Sequence, residues 1–281
     1  MSKRVALCLN SSFLGYFTHA GFLRALLGLG VRPVAVSGAS AGALVAGLFA
    51  AGLEPEEMLR LFVSPDLRKI FREPGALLRG PATMLNLPGH TGALQGKRAL
   101  ELMKARLGER RIEECQTPRL AISVTNLTAA RSEIATSGPV AGMILASGAF
   151  PGMFAACEVE EQWFWDGGLA NPLPFDHWID DPEIDTILLH VVANPQELSV
   201  RTGARPRRMS HAVNLSHQII CDELLRLKSD LARRAGKQLL LLRTLAPRPS
   251  LWNPATIGAG CVELGAETVE QNRSTLVELG P

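Results

Sequence analysis

Apolar and polar positions alternate in short blocks along the first fifty residues. The apolar run Val5–Leu9 stops at polar Asn10-Ser11-Ser12, as expected for a short strand covered on both faces. From about His19 to Leu29 the spacing becomes helical, and Gly30 is a fitting stop. Val34-Ala35-Val36 predicts a second strand from its β-branched residues. Gly38–Gly42 then turns sharply, and Ala43–Ala51 predicts an apolar, alanine-rich helix. Strand–helix–strand–helix places the chain in the α/β class, a mostly parallel sheet with helices on both faces.

The stretch Glu54–Gly108 is more polar and helical in spacing, broken at Pro65, Pro74, Pro81 and Pro88. Strands are predicted at Arg119–Val124, Ser132–Ala135, Trp163–Trp165 and Thr186–Val192, with a buried helix at Val140–Ser147. A basic linker, Arg201–Arg208, precedes a long amphipathic helix over Ser210–Ala235. Its apolar stripe is Ile220, Leu224, Leu227 and Leu231, and Gly236 is its stop. Gln238–Leu242 reads as one more strand and the tail from Gly260 as helix. The expected organisation is a core over 4–195 and a helix-strand-helix extension over 205–281 packed on the same domain.

Composition narrows the function classes. Of 281 residues, 47% are hydrophobic and 20% charged, with a net charge of +2, a balance too mild to imply nucleic acid as a partner. The five cysteines are scattered and odd in number, which predicts a reducing compartment, the cytoplasm, and neither a disulfide framework nor a metal site. No cofactor motif stands out. Val34–Leu53 and Ala135–Cys157 are uncharged and long enough to cross a bilayer at roughly 20 residues. Their glycines, serines and prolines mark them instead as buried elements of a large core. Val5–Leu9, after Lys3 and Arg4, is too short for a secretory signal.

Two turns carry candidate chemistry. Gly38-Ala39-Ser40-Ala41-Gly42 is a GxSxG sequence between a predicted strand and a predicted helix. There a serine can sit on a strained turn with its hydroxyl exposed at the sheet edge, facing the N-terminus of the next helix. The plainer reading is a small-residue turn that lets the helix pack on the sheet. In Trp163-Phe164-Trp165-Asp166-Gly167-Gly168, an apolar strand ends in a carboxylate and two glycines. Taken alone, this is equally a common Asp-Gly strand terminator.

Together the two turns resemble a known family. The segment "ASGAFPGMFAACEVEEQWFWDGGLANPLP" at Ala146–Pro174 is similar to the one carrying the DGG motif of patatin-like phospholipases. "HAGFLRALLGLGVRPVAVSGASAGALVAG", within Val5–Gly47, is similar to that family's opening helix, strand and serine elbow. The resemblance covers roughly Arg4–Ala193. It implies a three-layer patatin-like fold with the elbow after the second strand, a lipid ester as substrate, and a Ser–Asp dyad without histidine. Ser40 would be the nucleophile and Asp166 its base, flanked by Gly38, Gly42, Gly167 and Gly168, with Asn171 and a following proline shaping the turn behind.

The chain departs from the family at the loop after the first strand. The family's glycine run and basic residue are replaced by Asn10-Ser11-Ser12-Phe13-Leu14-Gly15. The expected oxyanion hole draws on Ser11, Ser12, Phe13, Gly15 and Ala41. A missing donor there costs on the order of 10²–10³ in rate, so a weakened, lipid-binding protein of the same fold is one alternative. A Ser-His-Asp esterase or thioesterase using His177, His190 or His217 is another. Phe13, Leu14, Phe17, Phe150, Met153 and Phe154 are candidates to touch an acyl chain. Peripheral membrane contact would fall to the helix Ser210–Ala235, through Arg226, Lys228, Arg233 and Arg234. Asp222, Glu223 and Asp230 make that surface equally a solvated one, with pairs such as Asp222–Arg226.

Overall fold

The computed structural model describes residues 3–195, 209–249 and 254–280, so the expected linker Arg201–Arg208 lies outside the described residues. The chain opens with β1 (Val5–Leu9), α1 (Tyr16–Gly28), β2 (Ala35–Ala39) and α2 (Ala41–Ala50). Next come α3 (Pro55–Val63), α4 (Pro65–Ile70), α5 (Ala76–Met84), β3 (Gly92–Leu94) and α6 (Lys97–Leu107). Then follow β4 (Arg119–Asn126), β5 (Arg131–Ala135), α7 (Val140–Gly148), β6 (Gly152–Phe154), β7 (Cys157–Val159) and β8 (Gln162–Asp166). The last part holds β9 (Thr186–Ala193), α8 (Met209–Arg234), β10 (Gln238–Leu245), α9 (Pro254–Gln271) and α10 (Arg273–Val277).

The main sheet runs β10-β9-β1-β2-β4-β8-β7, with β5 also on β4. From β10 to β4 every pairing is parallel. β8, β7 and β5 join antiparallel. Side chains of β1 divide by parity, as a pleated strand demands. Val5, Leu7 and Leu9 enter one core with α1, α2 and α7. Ala6 and Cys8 enter a second core, with Phe175, Trp178 and Ala232 of α8. The layers are therefore helix, sheet and helix, the α/β architecture expected. The strand from the C-terminal part, β10, extends the same sheet, and α9 packs along α1.

Three expectations need correction. α1 begins at Tyr16 rather than His19, because the first turn closes on Gly15, whose carbonyl accepts the His19 N–H at 3.0 Å. The three-residue strands β3, β6 and β7 escape a periodicity reading because three residues hold no measurable period. The third concerns α8. Its expected core stripe faces out, with Ile220, Leu227 and Leu231 each about half exposed. Leu225, Ala232 and Lys228 turn inward instead. The Lys228 ammonium donates to Asn171 Oδ1 (2.5 Å), the Leu173 carbonyl (2.9 Å) and Asp176 Oδ1 (2.7 Å). The inward face of the helix thus joins an apolar contact, through Leu225 and Ala232, to a paired cation beneath the Asp166 turn.

Candidate active site

Sheet register brings the two predicted turns together. Along β4, Ala39 of β2 sits opposite Ser123, and Asp166 of β8 sits opposite the next residue, Val124. β5 pairs with residues of β4 that β2 and β8 also use, so it must occupy the other edge. β2 and β8 therefore approach one edge of β4 head to head. Each ends where the other ends. Ser40 follows the last residue of β2, and its Oγ donates to Asp166 Oδ2 at 2.7 Å.

Ser40 has φ 53° and ψ −118°, a conformation an L-residue holds only under constraint. The constraint comes from the flanking glycines. A Cβ on Gly42 would collide with the Leu9 carbonyl, and one on Gly38 with the backbone of Gly42. Only glycine lets β1, the elbow and α2 pass so closely. The Ser40 N–H is held by Ser147 Oγ of α7 at 2.9 Å, and that hydroxyl donates to the Ser123 carbonyl at 2.6 Å. The serine is thus pinned from behind while its hydroxyl points forward. α2 starts at Ala41, so its first N–H groups, which have no helical partner, open beside Ser40.

Asp166 is almost wholly buried. Burial in apolar surroundings pushes its carboxyl up to about 7, outweighing the hydrogen bonds from Ser40 and from the Gly168 N–H (2.7 Å) that favour the charged form. Its main chain is clamped by the Ala149 carbonyl and by Thr125 Oγ1. A carboxylate with that basicity, 2.7 Å from a hydroxyl, has the geometry and proton affinity of a general base near neutral pH.

The loop Asn10–Gly15 is built differently from a glycine run. Asn10 is buried and ties the loop to β9, accepting the Val192 N–H at 2.8 Å and donating to the Ser11 carbonyl at 2.8 Å. The Ser11 N–H donates to the Pro172 carbonyl at 2.9 Å, so that amide is already committed. The Ser11 hydroxyl lies against Gly168, where any side chain would collide with it. The Gly15 N–H reaches back to the Ser12 carbonyl at 3.5 Å and the residue caps α1. Leu14 takes the left-handed conformation, φ 55°, the conformation a glycine would supply without strain. Ser12, Phe13 and Ala41 line the cavity beside Ser40.

That cavity has a volume of about 560 Å³, within the range of small-molecule pockets. Ser40 and Asp166 lie among walls that are overwhelmingly apolar. Of the residues expected from sequence to contact a chain, Phe13, Leu14, Phe150, Met153 and Phe154 line it. Phe17 does not: it is core, packed edge-on against Phe62. Sequence reasoning missed Leu67 and Ile70 of α4, Phe71 just after it, Met103 of α6, and Ile144 and Leu145 of α7. Their helical spacing signals burial without saying against what. No histidine is among the described residues lining the cavity. His190 is buried and bonded to His19 (2.9 Å) and Thr244 (2.9 Å), and His177 packs on Trp178. The side chain of His217 lies outside the described residues. Among the described residues no cluster of His, Cys, Asp or Glu is arranged to hold a metal ion, and no helix is long and apolar enough to cross a membrane.

The sequence model of the family described as Patatin-like phospholipase matches residues 7–179, from β1 to past the Asp166 turn. The chain belongs to the patatin-like phospholipase family. An uncharacterized NTE family protein of Mycobacterium bovis is 34% identical over 173 residues, 62% of this chain and 45% of that protein. Its Mycobacterium tuberculosis counterpart matches to the same extent, and the match spans about half the length of these relatives. VipD from Legionella pneumophila shares the fold at a TM-score of 0.51 and 16% identity, covering 98% of this chain and 67% of that one.

Proposed function

We propose that the chain hydrolyses carboxylic esters of lipids (phospholipids, lysophospholipids or acylglycerols) through an acyl-enzyme on Ser40. The observation that carries this reading is the 2.7 Å Ser40–Asp166 contact within an apolar cavity of about 560 Å³. In the first half-reaction Asp166 accepts the Ser40 proton as Oγ attacks the ester carbonyl. The developing oxyanion falls to the N-terminal amide of α2 at Ala41 and to the amides of Ser12 and Phe13. Asp166 then protonates the departing alcohol. In the second half-reaction Asp166 takes a proton from water as its oxygen attacks the acyl carbon, then returns that proton to the departing Ser40 Oγ, releasing the fatty acid and restoring both residues. The raised basicity of Asp166 makes the direct transfer feasible without histidine, since an aspartate near 3.8 would hold too little of the proton.

The test is labelling by a fluorophosphonate, with hydrolysis of a short-chain p-nitrophenyl ester alongside. Wild type labels and turns over; Ser40→Ala does neither; Asp166→Asn loses at least ~10³ in rate. Wild-type rates in the Asp166 variant would refute the dyad. The committed Ser11 amide favours one second reading, a lipid-binding protein with a weakened hole. In that case wild type binds fatty acid but neither labels nor turns over.

A further inference from the structure

The helix α5 is packed the wrong way round for a water-facing element. None of its residues is buried. The residue it directs inward is an arginine: Arg79 donates to the Ala93 carbonyl at 2.9 Å and to Glu73 at 3.2 Å. Its large apolar residues point out. Leu77, Leu78 and Met84 are at least 80% exposed, and Leu85 and Leu87 follow at 72% and 48%. Isolated exposed leucines need no explanation, but five on one short segment form a patch that water alone would not select.

Two further observations define its partner. The first is charge. The segment 65–98 holds six basic residues against two acidic ones, a net +4 in a chain whose total is +2. Within it Asp66 pairs with Lys69 and Glu73 with Arg79. Arg68, Arg72, Lys97 and Arg98 are left as the excess. Glu73 also accepts the backbone N–H groups of Gln95 and Lys97, and Arg98 donates to the Lys69 and Arg72 carbonyls. These bonds draw the backbone of residues 69–73 and 95–98 together just ahead of the first turn of α5. The second is position. Leu67, Ile70 and Phe71, from the same segment, form a wall of the Ser40 cavity, and α5 packs on β3 and β6, whose Met153 and Phe154 form another.

We infer that α5 and the Leu85–Leu87 turn dock the protein on a bilayer containing anionic phospholipid, leucines in the interface and Arg68, Arg72, Lys97 and Arg98 against headgroups. An apolar face with cationic flanks is what such a surface binds. The cavity then opens next to the lipid it takes up. This rests on the proposed lipid hydrolysis only for its purpose, since docking itself requires no turnover. The helix considered from sequence, α8, is a poorer match: Lys228 is spent beneath the Asp166 turn, and Arg226 and Arg233 pair with Glu223 and Asp230.

The experiment is flotation of the Ser40→Ala protein with vesicles of phosphatidylcholine alone or with 30% phosphatidylglycerol (about a third anionic, enough to set a negative surface potential). Binding is expected on the anionic vesicles, tenfold or more weaker in Leu77→Asp/Leu85→Asp, and roughly fivefold weaker for each of Arg72→Gln and Lys97→Gln. In the otherwise wild-type protein the leucine double variant should keep its rate on a soluble p-nitrophenyl ester and lose tenfold or more on vesicle lipid. Equal flotation of parent and double variant overturns the inference. So does absence of flotation, or a doubled mass in light scattering that Leu77→Asp abolishes, which would give the face to a second copy. A protein that floats as expected yet cleaves no ester would instead refute the hydrolase reading and leave the docking surface standing.

Discussion

Replacing Asp166 with asparagine should make the protein more stable at alkaline pH while removing its activity. The carboxyl is raised from its ordinary 3.8 to about 7 because it is buried. A carboxyl raised in the fold keeps its proton there after the unfolded chain has lost it. Its contribution is therefore fully present below pH 4, lost progressively between about 4 and 7, and gone above 7. The difference of about three pH units corresponds to about 4 kcal/mol in all, at 1.36 kcal/mol per unit. Between pH 5 and pH 8.5 the part still to be lost is about 2.7 kcal/mol, roughly a hundredfold in the folding equilibrium. Asparagine preserves the shape. Its Oδ1 can accept the Gly168 N–H and its amide can donate to Ser40 Oγ, in place of the bonds Asp166 makes. Any constant cost of that exchange cancels when the two proteins are compared at both pH values. The assay is urea denaturation of wild type and Asp166→Asn at pH 5 and 8.5. The variant's relative stability should rise by about 2–3 kcal/mol between them. Parallel pH dependences would mean that the carboxylate is solvated as well in the fold as outside it, and the argument for a neutral-pH base would fail with it.

The same titration should govern turnover: kcat/KM on a soluble ester should climb with pH along a limb centred near 7, where Asp166 becomes able to accept a proton. A limb near 4 would contradict it. Ser147→Ala removes the partner of the Ser40 N–H and the hydroxyl that donates to the Ser123 carbonyl, so urea denaturation should register a loss of about 1–3 kcal/mol and activity should fall with the loosened elbow. A loss under about 0.5 kcal/mol would show that water fills the gap. Lys228→Met leaves the Asp176 carboxylate and the Asn171 and Leu173 oxygens without their cation, which should cost about 1–2 kcal/mol in the same assay, less than a fully buried pair because Asp176 reaches solvent. An unchanged midpoint would mean that α8 does not brace the Asp166 turn.

Much of this was legible because the decisive residues carry local signals. Gly38 and Gly42 could be read as a close crossing from sequence, and the structure shows which backbone they pass, the Leu9 carbonyl and the first turn of α2. The unbroken apolar run Val5–Leu9 foretold a strand buried on both faces, and both cores are there. Where reading failed, the winning force was polar and long-range. The α8 leucines form an apolar stripe in sequence, yet the face that turns inward carries Leu225, Ala232 and Lys228, whose bonding partners lie more than fifty residues away. In α5 the inward position belongs to Arg79, which pairs with the buried Glu73 carboxylate. Periodicity counts apolar positions, and it cannot count the bonds that a buried carboxylate or carbonyl demands.

The loop Asn10–Gly15 shows the same limit at the site itself. From sequence, the Ser11, Ser12, Phe13, Gly15 and Ala41 amides were interchangeable donors, because a list of residues does not say which N–H groups are already used. Pro172, beyond the Asp166 turn, accepts from Ser11. Val192, at the far end of β9, exchanges bonds with Asn10. Both partners stand where they do through sheet register. β9 pairs with β1 in phase, Leu9 opposite His190, which brings Val192 to the loop. β8 meets β4 one residue beyond β2, which brings Asp166, and behind it Pro172, to the other side. A shift of one residue in the β8–β4 pairing would turn Asp166 to the opposite face, and one in the β9–β1 pairing would take Val192 away from Asn10 and loosen the loop beside Ser40. The motifs name the chemical groups, and the pairing of strands far apart in sequence decides whether those groups meet.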